Sequence, residues 1–318
     1  MGRASQVKQA PGRRQQIAAQ RAAERRRAAR NRLLVAGGAI LAVVLVTTTL
    51  ALTALATKPA PAGPPANGPA GTALATAARQ LTGVPGSVLD KVGTGILTGD
   101  GVGNPGASGS GHLSRVTGPP LAQAGKPEVL YVGADYCPFC AAVRWPLIVA
   151  LSRFGTFSGL ATARSGVTNG AGQAEPYPAT ATWTFHGARY TSRYLAFTGI
   201  ELATSTPDRK TGGYTPLQAL TSPQQALMAR YDPQGGIPVI DIGNKYVQLS
   251  NLDPYGPQAL TGLSWSQIVT SLHDPSSTLA RQVDASANYL TAAFCTLTGN
   301  QPVSACTPAV RALESRLG

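Results

Sequence analysis

From Leu33 to Thr57 the chain carries no charged residue, and this run of 25 residues, LLVAGGAILAVVLVTTTLALTALAT, constrains everything on either side of it. At a rise of about 1.5 Å per residue it crosses a hydrocarbon core of about 30 Å with some tilt. In lipid every backbone N–H and C=O must bond within the segment, so a transmembrane helix is expected. A buried helix of a soluble core is the alternative. The flanks weigh against it: Arg13, Arg14, Arg21, Arg25, Arg26, Arg27, Arg30 and Arg32 precede the run, and only Lys58 flanks its far end. That asymmetry predicts a cytoplasmic N-terminus, a single pass through the cell membrane, and an extracytoplasmic segment 58–318. Ala54-Leu55-Ala56 resembles a cleavage site, but the basic region is long and the apolar run exceeds the usual ~7–15 residues of a secretory leader. Under either reading the main domain lies outside the cytoplasm.

The net charge of +13 is a property of the tail. Residues 1–32 hold nine Arg and Lys8 against Glu24, while the remainder of the chain sums to only +4. No aromatic side chains interleave with the arginines, so no nucleic-acid partner is expected. The block reads as a topogenic signal, with a helix lying on anionic headgroups as the alternative.

The outer part divides by composition. Residues 58–71, KPAPAGPPANGPAG, read as a stiff, extended linker. A helical and loop lead-in over 72–127 follows, with short helices over Thr72–Leu81 and Ser87–Val92 and a flexible loop over 99–111. The main domain is read as 128–318, with an inserted β-rich segment over 166–214. In it, Glu128–Ala134 is a buried strand. A helix follows, with an apolar stripe at Val143, Leu147, Leu151 and Phe154, kinked at Pro146 and closed by Gly155. Gly159–Ser165 is a second strand. Ser222–Arg230 reads as a helix with a Ser cap and Pro in first position. Ile237–Ile242 and Tyr246–Leu249 flank a hairpin turn, and Ser264–Leu272 and Ser276–Leu297 are helices. This order predicts an α/β fold: a mixed sheet with helices on both faces.

All four cysteines lie beyond the apolar run. Cys137 and Cys140 bracket Pro138-Phe139 where a strand passes into a helix. A helix N-terminus offers unpaired N–H groups and partial positive charge, which stabilise a thiolate. Cys137 is therefore expected to be the exposed nucleophile and Cys140, one turn on, the more buried resolving thiol. A plain disulfide and a zinc site are the competing readings. For zinc a second CxxC is missing, and His112, His186 and His273 stand apart in sequence. Cys295 and Cys306, with ten residues between them that include Gly299 and Pro302, suit a structural disulfide across a turn; a second redox site is the alternative, but no strand–helix junction holds them. No metal or other cofactor is expected.

Gly235-Gly236-Ile237-Pro238-Val239 sets a proline at the head of an apolar strand. It is either a trans proline opening an edge strand or a cis proline in a turn. Strand, CPFC helix, insert, helix, proline-led strand, hairpin and helix in that order resemble the thioredoxin fold. The resemblance implies that Pro238 lies against the cysteines and shapes a substrate groove, and that the Ile237 backbone pairs with the substrate chain. Tyr136 and Phe139, flanking the cysteines, are the other candidate substrate contacts. Gly125–Leu160, with Val84–Leu89 upstream and GGIPVIDIGNKYV downstream, is similar to membrane-anchored proteins grouped as domain of unknown function 929. Residues of roughly 80–310 carry that likeness. Where many thioredoxins place a buried acid, six residues before the first cysteine, this chain has Tyr131. Tyr136 replaces the Trp often found before that cysteine. Asp135 lies closer to the motif, and Arg144, one turn after Cys140, could stabilise a thiolate or be a salt-bridged or snorkelling surface residue. Trp145 reads as core or groove lining.

The resulting expectation is a membrane-tethered thiol–disulfide oxidoreductase. Its partners would be protein thiols or a membrane redox partner, and the bilayer through residues 33–57. A non-enzymatic cell-envelope scaffold with two structural disulfides is the rival. A metal or haem-delivery chaperone using the CxxC is a third reading.

Overall fold

Strand β-propensity and helix capping place the elements, and burial on two faces stacks them. The computed structural model describes residues 68–95, 113–249 and 255–317. The basic tail, the apolar run Leu33–Thr57, most of the linker and the loop 99–111 lie outside the described residues. Among the described residues no helix is long and apolar enough to cross a membrane.

In chain order the elements are α1 (Gly71–Thr82), α2 (Gly86–Val92), β1 (Ser114–Arg115), β2 (Ala122–Gln123), β3 (Lys126–Gly133) and α3 (Pro138–Ser152). Four strands follow: β4 (Gly155–Ser158), β5 (Ala161–Arg164), β6 (Ala181–Thr184) and β7 (Arg189–Ser192). Next are β8 (Ala196–Glu201), β9 (Ala203–Pro207), β10 (Tyr214–Pro216) and α4 (Ser222–Tyr231). The chain continues through β11 (Val239–Ile242), β12 (Tyr246–Leu249), α5 (Trp265–Leu272), α6 (Thr278–Leu297) and α7 (Pro308–Arg311).

The central sheet is mixed. β3 pairs in parallel with β8, Glu128 opposite Ala196 through Gly133 opposite Glu201, and antiparallel with β11, Val239 opposite Val132. β12 closes the β11 hairpin with Ile242 opposite Tyr246, and β1 adds to β12. Gly243 and Asn244 take φ of 64° and 53° in the turn, the left-handed region that Gly and Asn tolerate best.

The period of two along β3 sorts its side chains. Val129 and Tyr131 enter the larger core, which holds the α3 and α6 side chains Leu147, Leu151, Val283 and Phe294. Leu130 and Val132 enter a smaller core on the other face with Ile200, Met228 of α4, Val239 and Val247. The sheet is thus covered by helices on both sides.

Helix α3 is buried nearly all round rather than along one stripe. Pro146 lacks an N–H, so the Ala142 carbonyl loses its intrahelical donor. Tyr255 Oη supplies one at 2.5 Å, and Thr182 Oγ1 bonds the neighbouring Ala141 carbonyl at 2.9 Å. Trp145 is fully buried, donating to the Ala181 carbonyl at 3.1 Å.

Four local expectations are corrected. α3 ends at Ser152, and Gly155 opens β4 instead of closing the helix; a Cβ there would lie 2.3 Å from the Thr191 carbonyl oxygen, too close for any larger residue. The strand expected over Gly159–Ser165 forms as β5 but pairs with β6, outside the central sheet. The parallel partner of β3 is instead β8, within the segment read as an insert. The cap of α4 is Thr221, whose amide donates to Gln224 Oε1 at 2.8 Å, which leaves Ser222 as the first helical residue. Cys295 and Cys306 are disulfide-bonded, S–S 2.02 Å, and join the end of α6 to the segment before α7.

Candidate functional site

β3 is buried on both faces and delivers the chain into a tight turn at Ala134–Tyr136. The Cys137 amide donates back to the Ala134 carbonyl at 3.2 Å, and Cys137 becomes the N-cap of α3. Pro138, without an N–H, occupies the first helical turn where that donor would be unpaired anyway. The Cys140 amide donates to Cys137 Sγ at 3.1 Å, so the sulfur fills the capping position that a Ser or Asp oxygen usually takes.

The two thiols are free and unequal. Cys140 is fully buried, and burial together with the adjacent Cys137 pushes its thiol well up. Burial also pushes Cys137 up. It is outweighed by the hydrogen bond with the Cys140 thiol, the Cys140 and Phe139 amides and the positive charge of Arg144, and Cys137 ends below the ordinary thiol range. The first cysteine is thus the more acidic, as an attacking thiol must be.

From 100 residues along the chain, the Ile237 carbonyl comes within 3.8 Å of Cys137 Sγ, and the Ile237–Pro238 bond is cis. Ala134, Cys137 and Cys140 form a small cluster against which Tyr136, Phe139, Leu202, Ala203 and Ile237 pack. The sequence-predicted residues Cys137, Cys140, Ile237, Pro238, Tyr136 and Phe139 are therefore gathered in one place. Cys295 and Cys306 belong to a different part of the core.

Cys137 is less exposed than expected. Its residue is 5% accessible. Tyr136, Phe139, Leu202, Ala203 and Ile237 pack around it, and a collar from the segment β5 to β10 backs the two aromatic side chains. The Gly166 amide donates to the Tyr136 carbonyl at 2.8 Å. Tyr214 stacks on Tyr136 with ring centroids 4.3 Å apart, and its hydroxyl donates to Glu175 Oε1 at 2.8 Å. Tyr177 meets Phe139 edge-on at 6.3 Å. A Cβ on Gly166 would lie 2.2 Å from Tyr214 Oη, so a larger residue there would push the Tyr214 ring from its stack on Tyr136.

Beneath the cysteines lies a charge pair. Arg144, fully buried, donates from Nε to Glu201 Oε1 at 2.9 Å and from Nη2 to Glu201 Oε2 at 2.6 Å. Nη2 also donates to the Ala134 carbonyl at 2.7 Å, the same oxygen that accepts from the Cys137 amide. Asp135 Oδ1 stands 3.8 Å away on a side chain 13% exposed. Tyr131 is fully buried, and its hydroxyl has no hydrogen-bond partner among the described residues. Of the roles weighed for Arg144, a surface position is excluded and a salt bridge is found.

Glu201 was missed, although two signals bear on it. Arg144 is the lone charge in the segment from Tyr136 to Ser152, and Glu201 is the lone acid between Glu175 and Asp208. A charge in a core helix and a charge in an apolar strand each need a partner, and each can serve the other. Among the described residues no three His, Cys, Asp or Glu side chains gather into a metal-binding group.

No curated protein and no solved structure matches the chain. A family model does match residues 112–296, more than half of the chain, and the protein belongs to the family described as domain of unknown function DUF929.

Proposed function

We propose that the protein is a membrane-tethered, extracytoplasmic thiol–disulfide oxidoreductase acting on protein thiols through Cys137 and Cys140. The observation that carries the reading is the inequality of two adjacent thiols. One caps a helix, is hydrogen-bonded and sits below its ordinary range. The other is sealed one turn deeper. Strand order β8-β3-β11-β12, with β8 parallel and β11 antiparallel to the cysteine-bearing strand, supports a thioredoxin-like core. In that reading Pro238 shapes the groove, the Ile237 backbone lies alongside the incoming chain, and Tyr136 and Phe139 form its walls. The Cys137 thiolate forms the mixed disulfide and Cys140 resolves it. The charge asymmetry around Leu33–Thr57 supports the anchor and the compartment.

The burial of Cys137 favours a second reading, a cell-envelope scaffold whose collar is an interaction surface. Replacement Cys137→Ser separates the two. Disulfide exchange with a model dithiol should fall to background; unchanged exchange ends the redox assignment.

A further inference from the structure

Cys140 and Arg144 stand four residues apart on α3, one above the other on the same face, with Cys137 one turn further back. The Arg144 guanidinium is therefore fixed under the CPFC turn. It is a single hydrogen bond from the carbonyl that also anchors the Cys137 amide. Glu201, from the parallel strand β8, holds it there with two bonds. The third nitrogen, Nη1, has no hydrogen-bond partner among the described residues. Three groups lie against this guanidinium: Glu201 from β8, Asp135 from the turn and the Tyr131 ring from β3, with Arg144 Cζ 5.7 Å from the ring centroid. The Glu201 carboxylate offsets part of this charge, and burial leaves the remainder acting on its neighbours with little screening. It stabilises a thiolate and does nothing comparable for a neutral disulfide, so it favours the reduced state of the pair over the oxidised one.

We infer that Arg144, clamped by Glu201, is a positioning residue that stabilises the thiolate-bearing reduced form of the CPFC pair and so makes the Cys137–Cys140 disulfide an oxidant of protein dithiols. The inference rests on the redox reading above and adds the direction of electron flow. A substrate thiolate attacks Cys137 Sγ, forms a mixed disulfide and expels the Cys140 thiolate, which takes up a proton. The second substrate thiolate then attacks the substrate sulfur and expels Cys137 as a thiolate, a good leaving group because it is stabilised. Two electrons pass from the substrate, which ends as a disulfide, to the pair, which ends reduced. A disulfide-bearing reactant returns the pair to its starting state; oxidised glutathione serves in the test.

The test is the equilibrium between full-length protein in detergent and glutathione buffers, read by alkylation and intact mass, with the pH profile of Cys137 alkylation alongside. The wild-type pair should stand mostly reduced where a reference dithiol with unshifted thiols stands oxidised, and its alkylation profile should break below the ordinary thiol value of about 8.5. Arg144→Met should lower the equilibrium constant for reduction about tenfold, one pKa unit's worth, and move the profile up. Glu201→Gln, which leaves the Arg144 charge unbalanced, should do the reverse. Structural damage alone would move both variants the same way. Should Arg144→Met not fold, the sign of Glu201→Gln and the wild-type profile decide. Exchange that persists with these constants unchanged, or with both variants shifted in one direction, overturns the role of Arg144. A wild-type pair that stands oxidised beside the reference overturns the direction. A pair that never exchanges with glutathione overturns the redox reading itself.

Discussion

At the residue scale the charged groups of the interior divide into the compensated and the stranded. Arg144 and Glu201 compensate one another, and removing either partner alone leaves an expensive buried charge. Asp284 on α6 has no such partner. It is fully buried, neither carboxylate oxygen has a hydrogen-bond partner among the described residues, and burial pushes its carboxyl up to about 8. An aspartate whose folded-state value is raised costs nothing below its unfolded value of about 3.9. The cost builds as pH rises toward 8 and is complete above it. By linkage it is on the order of 4 kcal/mol at pH 7. Asp284→Asn should therefore flatten stability between about pH 4 and 8, with the variant's advantage in Tm widening as pH rises. Thermal melts of both proteins at pH 5 and pH 8 check this; parallel pH dependence in the two would contradict it.

At the element scale the kinked helix α3 shows how a defect is absorbed. Pro146 orphans the Ala142 carbonyl, and Tyr255, 113 residues away in sequence, repairs it. Tyr255→Phe keeps the ring and removes the donor, leaving a buried carbonyl unsatisfied. The expected loss is about 1–3 kcal/mol in denaturant titration, with an unchanged m-value. The same scale shows what a lone sequence reveals. The proline inside α3, the strand before it and the 243–245 turn are local signals and are readable. The donor that heals the proline is a tertiary fact and is not. Gly199 shows the same limit: glycine weakens a strand on paper. In the fold a Cβ there would lie 2.6 Å from the Phe185 Cβ, so the residue that blurs the signal for β8 is the one that lets β8 pack.

At the scale of the whole molecule, spacing and order made the cysteine chemistry legible. Two residues between the first pair and ten between the second sort the four sulfurs, and the proline-led strand points back toward the first pair. The collar and the Arg144–Glu201 clamp were not legible. The strand signal over 190–202 is readable and forms β8, but its parallel place beside β3, and the place of 166–180, are decided by what they pack against. The burial of Cys137 bears on the central claim, since the residue is only 5% accessible. The direct test is to incubate full-length Cys140→Ser protein with oxidised glutathione and measure intact mass and the modified peptide. A reachable nucleophile that has lost its resolving partner should accumulate one glutathione adduct, on Cys137, while Cys295 and Cys306 remain joined. Absence of an adduct on Cys137 under conditions that label an unfolded control would contradict the account.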